Sequence, residues 1–424
     1  MTEKLFTKNF ILLILGQLTS LFGNYILKLA LSMYILEVTG SAAVFAGVLS
    51  AATIPTILLS PLGGILADRA DRRNLMVAFD TLTGAAVLGA ALIICENNAL
   101  VVISSLLVVL SVLGAFETPV VQACIPTMLR GDNITKGNAV VNQVASLSYL
   151  AAPVLGAMLY SLLGLKPVMA ASVGCFFVTA MFECFIRLDD VRPQLQCEGG
   201  MISVVKQDFL TSMRFLTKKQ TNLSKMLFLT ACCRFFVMGI TIVGLPYIVR
   251  TVLSFDARYY GAAESALAVA TILGSVAAGL LAERLEIHQC SYMLTFLGVF
   301  IIPAGIAFLL PVSSIAVYVV IIVSFCGMQA VISIFSVFAV SLIQQRTPNH
   351  LVGKVMAFTS AVTLCVQPLG QIVYGFLFDR FCSSISFVFI PTGILVCLIG
   401  LSSKGFFLKM ENEDILQDTG TQIG

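Results

Sequence analysis

Apolar runs of about 20 residues, each long enough to cross a hydrocarbon core as a helix, recur from about residue 10 to about residue 405. Twelve can be separated, at roughly 10–36, 42–67, 74–95, 99–128, 139–163, 167–187, 226–249, 259–282, 289–310, 313–343, 352–378 and 383–405. Polar residues gather in the gaps between them. The ten-residue alternating segments of a membrane barrel are absent. The first run is too long, and too poor in small residues at a cleavage point, for a removable signal, so it is expected to be the first helix of the mature protein. The longest polar stretch, about 188–225, begins irregularly with DDVRPQLQCEGG. It continues with Ile202, Val205, Phe209, Met213 and Leu216 at helical spacing, opposite Lys206, Arg214 and Lys218. That pattern predicts an amphipathic helix lying along the membrane surface and tethering two halves. The expected division is therefore an N-terminal six-helix bundle over 1–188, a linker over 189–225 and a C-terminal six-helix bundle with a short tail over 226–424.

Composition makes the membrane assignment firm. With 58% hydrophobic and 11% charged residues and a mean hydropathy of +0.98, a chain of 424 residues cannot cover a soluble globule with polar surface. The bilayer is its solvent. Placing the N-terminus in the cytoplasm puts Lys4, Lys8, Arg69, Arg72, Arg73, Arg130, Lys136, the 187–225 cluster, Arg284, Arg346, Lys354, Lys404 and Lys409 on one side. Only Lys166, Arg250, Arg258 and Arg380 fall on the other, which predicts that both termini are cytoplasmic. The net charge of +3 is thus an orientation signal and not a footprint for nucleic acid. Most of the 12 cysteines lie inside apolar runs, where they read as small hydrophobes. No CxxC pair occurs and His288 and His350 are the only histidines, so neither a metal site nor a cofactor is expected.

One charged stretch does more than end a helix. Residues 63–73 read GGILADRADRR, and a weaker copy, AGLLAER, follows at 278–284, an offset of 215. The same offset carries Pro153 in LAAPVLG onto Pro368 in CVQPLGQ, which points to an internal repeat. Six plus six spans, a long central loop and this motif resemble the major facilitator superfamily. The loop pattern of that family, G-x-x-x-D-R-x-x-R-R, is matched at Gly64, Asp68, Arg69, Arg72 and Arg73; Asp71 stands where many members carry glycine, as it often does in drug exporters. The copy in the second half keeps Gly279 and Arg284, replaces the acid by Glu283 and lacks the basic pair. TGS at 39–41, ETPVVQACIP at 117–126 and SYLAAPVLGAMLYSLLG at 148–164 look most like the macrolide and multidrug efflux branch.

The resemblance implies an all-α membrane protein, two six-helix bundles related by a pseudo-two-fold axis, acting by alternating access. It implies that Asp68, Arg69, Arg72 and Arg73 form a breakable cytoplasmic gate, that Gly64 lets a neighbouring helix approach and that Asp80 joins the same charge relay. It also implies that the first, fourth, seventh and tenth helices line a central cavity. On the first, Gln17, Ser20, Asn24 and Lys28 share one face. An intramembrane lysine is costly, so Lys28 is expected to face protein or water, with outward snorkelling or a structural ion pair as alternatives. On the fourth stand Ser111, Gly114, Glu117, Thr118 and Gln122, bent by Pro119. Glu117 is the candidate coupling acid, or else a permanent partner of Lys28. The seventh offers Thr230, Arg234 and Thr241, the tenth Ser324, Gln329, Ser333 and Ser336. Phe235, Phe236, Phe335 and Phe338 either line an apolar pocket or face lipid and core. Glu264 is a secondary candidate and Glu183 reads as interfacial.

An enzyme is disfavoured: no H-E-x-x-H pair, no G-x-S-x-G elbow and no well-placed general base is present. The phosphate-binding G-x-x-x-x-G-K-[ST] loop of ATP-driven pumps is missing as well. The expected function is proton-linked export of amphipathic organic compounds across a bacterial inner membrane by a monomer. Alternatives are export of one metabolite or siderophore, nutrient uptake, or a non-transporting receptor or lipid-handling protein.

Overall fold

A computed structural model describes residues 5–188, 210–281, 284–348 and 351–421. Twelve of its helices are long and apolar enough to cross a membrane. They are α1 (Lys8–Thr39), α2 (Ala42–Arg69), α3 (Arg72–Ile93), α4 (Ala99–Met128), α5 (Asp132–Leu163), α6 (Leu165–Cys184), α7 (Thr221–Val252), α8 (Ala257–Leu281), α9 (Gln289–Ile306), α10 (Ser314–Gln345), α11 (Val352–Arg380) and α12 (Ser386–Thr421). Leu58, Leu92, Leu280 and Phe376 are among many large apolar side chains left on the outside, which suits a bilayer and would be untenable in water.

Short polar signals set the helix ends. TGS at 39–41 is a joint: Gly40 closes α1 with φ of 60° and its N–H on Leu36 O, and Ser41 caps α2 by accepting from Val44 N at 3.1 Å. Thr7 and Ser313 cap α1 and α10 in the same way. Asp71, the residue that departs from the common loop pattern, caps α3 through Asn74 N at 3.3 Å.

The chain separates into two compact units, Met1–Gly199 with Val249–Ser265, and Gly200–Ile248 with Ala266–Gly424. In the first, α2 packs on α4, α3 on α6, and α1 on both α5 and α6. Phe10, Leu13, Ala67, Met76, Val121, Cys124 and Ile125 form a dry core at the end where α1 begins. Residues 249–265 join this unit through polar contacts. Arg250 reaches Glu37 at 3.3 Å, Tyr160 donates to the same carboxylate at 2.6 Å, Ser161 donates to Asp256 at 2.7 Å and Ser265 to Leu150 O at 2.7 Å.

In the second unit α9 packs on α12 and α10, and α7 on α11. One close crossing brings Gly298 of α9 against Gly393 of α12, and another brings Gly370 of α11 against the carbonyl of Phe235 in α7, with no room for a Cβ at either glycine. α7 is not a uniform α-helix. After Met238 it widens into π turns at Gly239–Gly244 and Ile248–Val252, on either side of Leu245–Tyr247. Residues five apart point about 140° apart in an α-helix. Here Gly239 and Gly244 both meet α11, against the rings of Tyr374 and Phe378. Of the expected linker helix, residues 202–209 lie outside the described residues. Its visible part, 210–219, is helical and buries Ser212, Phe215 and Leu216, while Met213 is exposed.

Candidate functional site

The polar face of α1 meets α4 and α5 around a cavity of about 350 Å³ in the first unit. Gln17, Asn24, Lys28, Glu117, Thr118 and Gln122 all line it, so six residues expected to face a cavity from two separate helices converge. Ser20, Tyr25, Thr56, Ser111 and Asn142 complete its polar wall. Thr56 and Asn142 are not among the residues expected from sequence, because their spans are not expected to face a cavity. Lys28 and Glu117 share the cavity, yet no ion pair within 4.0 Å joins them among the described residues. Thr118 returns its hydroxyl to Gly114 O at 3.1 Å, a bond inside its own helix. The carbonyl oxygen of Asn24 is buried without a partner, a spare acceptor at the cavity wall.

Behind the cavity the interior is acidic. The Ser20 hydroxyl lies 3.0 Å from Asp80 Oδ1 and 3.5 Å from Glu117 Oε1, placing it between a carboxylate of α3 and one of α4. Asp80 is fully buried. Its carboxyl group is within hydrogen-bonding reach of Glu183 on α6. Glu183, read from sequence as interfacial, is only 1% exposed. Its neighbour one turn back, Thr179, bonds Gly16 O and Thr19 across the tight α1–α6 seam, which draws the last turn of α6 inward. Asp80 thus keeps company with Ser20, Glu117 and Glu183.

Around the 63–73 motif, Arg72 donates from Nε to Ala67 O and from Nη1 to Ala123 O, both at 2.9 Å, tying α2 to α4. Arg73 donates to Cys184 O at the end of α6. The side chains of Asp68 and Arg69 lie outside the described residues. The glycine that admits a neighbouring helix is Gly63, not Gly64. A Cβ on Gly63 would stand 2.5 Å from Ala115 O and 3.1 Å from Pro119 Cγ, whereas one on Gly64 would meet nothing within 4 Å. Ala115 O is the carbonyl left without its helical donor by Pro119, and it is this carbonyl that the glycine of α2 approaches.

In the second unit Arg234 has no ion-pair partner among the described residues, and Gln329 Oε1 is buried without a partner. Ser333 packs against Gly274 of α8 at a close helix crossing. Phe235 and Phe236 line an apolar cavity of about 470 Å³ together with Phe228, Phe358 and Val362, whereas Phe335 is core. Glu264 accepts from Tyr260 at 2.6 Å. Glu286, His288 and Glu411 gather at the start of α9, where Glu411 accepts from His288 N at 3.0 Å and faces its Nδ1 at the same distance.

Comparison with known proteins adds the lineage. Residues 13–370 match the family model described as Major Facilitator Superfamily. The chain is 24% identical over 395 residues to macrolide efflux protein A of Streptococcus pyogenes, covering 91% of this chain and 93% of the relative. It is 22% identical over 408 residues to the multidrug efflux pump Tap of Mycolicibacterium fortuitum, covering 92% and 94%. Among solved structures it is similar to the nucleoside transporter NupG, with a TM-score of 0.73, 12% identity and coverage of 95% and 99%. It is also similar to a bacterial homologue of the iron transporter ferroportin in an inward-facing state, with a TM-score of 0.68, 17% identity and coverage of 93% and 98%.

Proposed function

From its membership of the Major Facilitator Superfamily, to which this chain belongs and which makes it a multi-pass membrane transporter and not an enzyme, we infer that it exports amphipathic organic compounds at the expense of a proton gradient. The observation that carries the reading is the first-unit cavity, where one carboxylate, Glu117, and one amine, Lys28, face the same space with no ion pair within 4.0 Å between them. An acid so placed can exchange a proton for a cationic or hydrogen-bonding group of a solute. The efflux proteins to which the chain is similar over nine-tenths of its length support the direction of transport.

In this reading Gln17, Asn24, Lys28, Thr118 and Gln122 bind solute beside the coupling acid Glu117, and Arg234, Gln329 and Ser333 are the solute-binding candidates of the C-terminal half. Gly64, Asp68, Arg69, Arg72, Arg73 and Asp80 belong to a cytoplasmic gate. The protein works as a monomer in a bacterial plasma membrane with both termini inside, divided at 1–188, 189–225 and 226–424. The polar character of the cavity wall favours a second reading, one dedicated solute in place of a drug spectrum, since each fixed hydrogen-bonding group narrows choice.

The test is accumulation of a dye and macrolide panel in cells lacking their own pumps, with and without the protein and again with a protonophore. Lower accumulation that the protonophore abolishes is expected. Glu117→Gln should then stop uphill export while sparing ligand binding, and Asp68→Asn should slow turnover without changing which compounds bind. Unchanged accumulation across the panel would sink multidrug efflux, and uphill export at the normal rate in Glu117→Gln would remove the acid from its role.

A further inference from the structure

We propose that Asp80 and Glu183 form a proton-holding pair, a carboxylic acid hydrogen-bonded to a carboxylate, and that the Ser20 hydroxyl connects this store to Glu117 in the cavity. The proposal rests on the proton-coupled reading of Glu117. It extends that reading to a second site, on helices α3 and α6.

The geometry leaves the pair short of one donor. Asp80 is 0% and Glu183 1% exposed, so neither reaches bulk solvent. Asp80 Oδ2 and Glu183 Oε2 are both buried without any hydrogen-bond partner, while the two carboxyl groups lie within hydrogen-bonding reach of each other. Two ionised carboxylates in that arrangement would repel one another and bury two uncompensated charges. One shared proton removes the repulsion and supplies the missing donor.

Among the described residues no ion pair joins a cation to either acid, although Arg73, with its Nε buried and unpartnered, bonds the carbonyl of Cys184 next to Glu183. The acidic groups facing Asp80 are Glu183 from α6 and Glu117 from α4, and α1 presents the neutral Ser20. Arg72 and Arg73, on the same helix as Asp80, donate to the carbonyls of Ala67, Ala123 and Cys184. Lys28, the cation of the cavity, stands two turns along α1 from Ser20.

The hydroxyl between the acids gives the store an outlet. Ser20 is 3.0 Å from Asp80 and 3.5 Å from Glu117, and a hydroxyl both donates and accepts. When the proton of the pair sits on Asp80 Oδ1, the oxygen that faces Ser20, that O–H breaks as Ser20 gains the proton. The original Ser20 O–H breaks in turn as Glu117 gains its proton. The net change is one proton moved from the pair to the cavity acid, with Ser20 restored.

Infrared spectroscopy of the purified full-length protein in detergent at neutral pH, without any substrate, tests the pair directly. The wild type should show a protonated-carboxyl C=O band that shifts in D2O. Glu117→Gln should keep this band, and Asp80→Asn and Glu183→Gln should each lose it. Glu183→Asp retains the carboxyl and should retain a displaced band, which separates loss of the pair from loss of the fold. A band that survives both Asp80→Asn and Glu183→Gln, one that vanishes in Glu117→Gln alone, or no band in the wild type would overturn the proposal. Because no transport is needed, this result stands apart from the fate of the export reading. Where ethidium efflux is energised, Ser20→Ala should keep the band and slow the efflux on the order of 10²-fold; undiminished efflux would take Ser20 out of the path.

Discussion

An alanine at Gly63 would bring its Cβ to 2.5 Å from Ala115 O, 3.1 Å from Phe116 Cα and 3.1 Å from Pro119 Cγ. Backbone and a proline ring cannot swing aside as a flexible side chain would, so α2 and α4 must separate by about 1 Å to restore an ordinary contact. Overpacking of this kind costs about 1–3 kcal/mol. At about 3 °C per kcal/mol for a unit of roughly 200 residues, the melting temperature of the purified protein in detergent should fall by about 3–9 °C. The adjacent substitution is the control. Alanine at Gly64 meets nothing within 4 Å and should leave the melting temperature unchanged or raise it slightly, because alanine is the better helix former. Differential scanning fluorimetry with a thiol-reactive dye, or intrinsic tyrosine emission, reads both variants in one buffer. Equal losses in Gly63→Ala and Gly64→Ala, or a larger loss in Gly64→Ala, would refute the assignment of the close approach to Gly63.

Arg72 grips Ala67 O and Ala123 O with two different nitrogens, a geometry that a single ammonium cannot copy. Arg72→Lys should therefore cost about 1.5–3 kcal/mol, one charge-assisted bond, in the same melting assay; a shift near zero would show that charge alone matters there. At the other end of the unit, the Glu37–Arg250 pair has a half-exposed carboxylate, 54% accessible, so a double-mutant cycle of Glu37→Gln with Arg250→Ala should return a coupling below about 1 kcal/mol. A coupling of several kcal/mol would mean that the pair is sealed from water.

Legibility from sequence followed the range of the interactions. The twelve spans could be read because length and hydropathy act locally, and the converging face of α1 because a spacing of three or four residues is a property of one helix. Which of two adjacent glycines faces α4 is a rotation of about 100°, and only the partner helix decides it. Glu183 misled for a related reason: it stands one residue from the end of α6, where a carboxylate ordinarily reaches water, and it is the α1 seam at Gly16 and Thr179 that draws it inside. The motif at 63–73 displayed its charges but not their partners, so the grip of Arg72 and Arg73 on helix-end carbonyls went unread. The π turns of α7 leave no periodic trace in so uniformly apolar a run.

Those turns make α7 a helix with slack. A π turn holds one residue more than the α turn it replaces, so the side chains before Gly239 and those of Leu245–Tyr247 follow two different phases and no single helical wheel describes the span. Removing one residue inside 239–244 would tighten a wide turn into an ordinary one and leave both flanking stretches facing as they do now. The same deletion in the uninterrupted α10 would turn everything beyond it by about 100° and draw it back by about 1.5 Å. Length and orientation, locked together in most of these helices, are separable in this one.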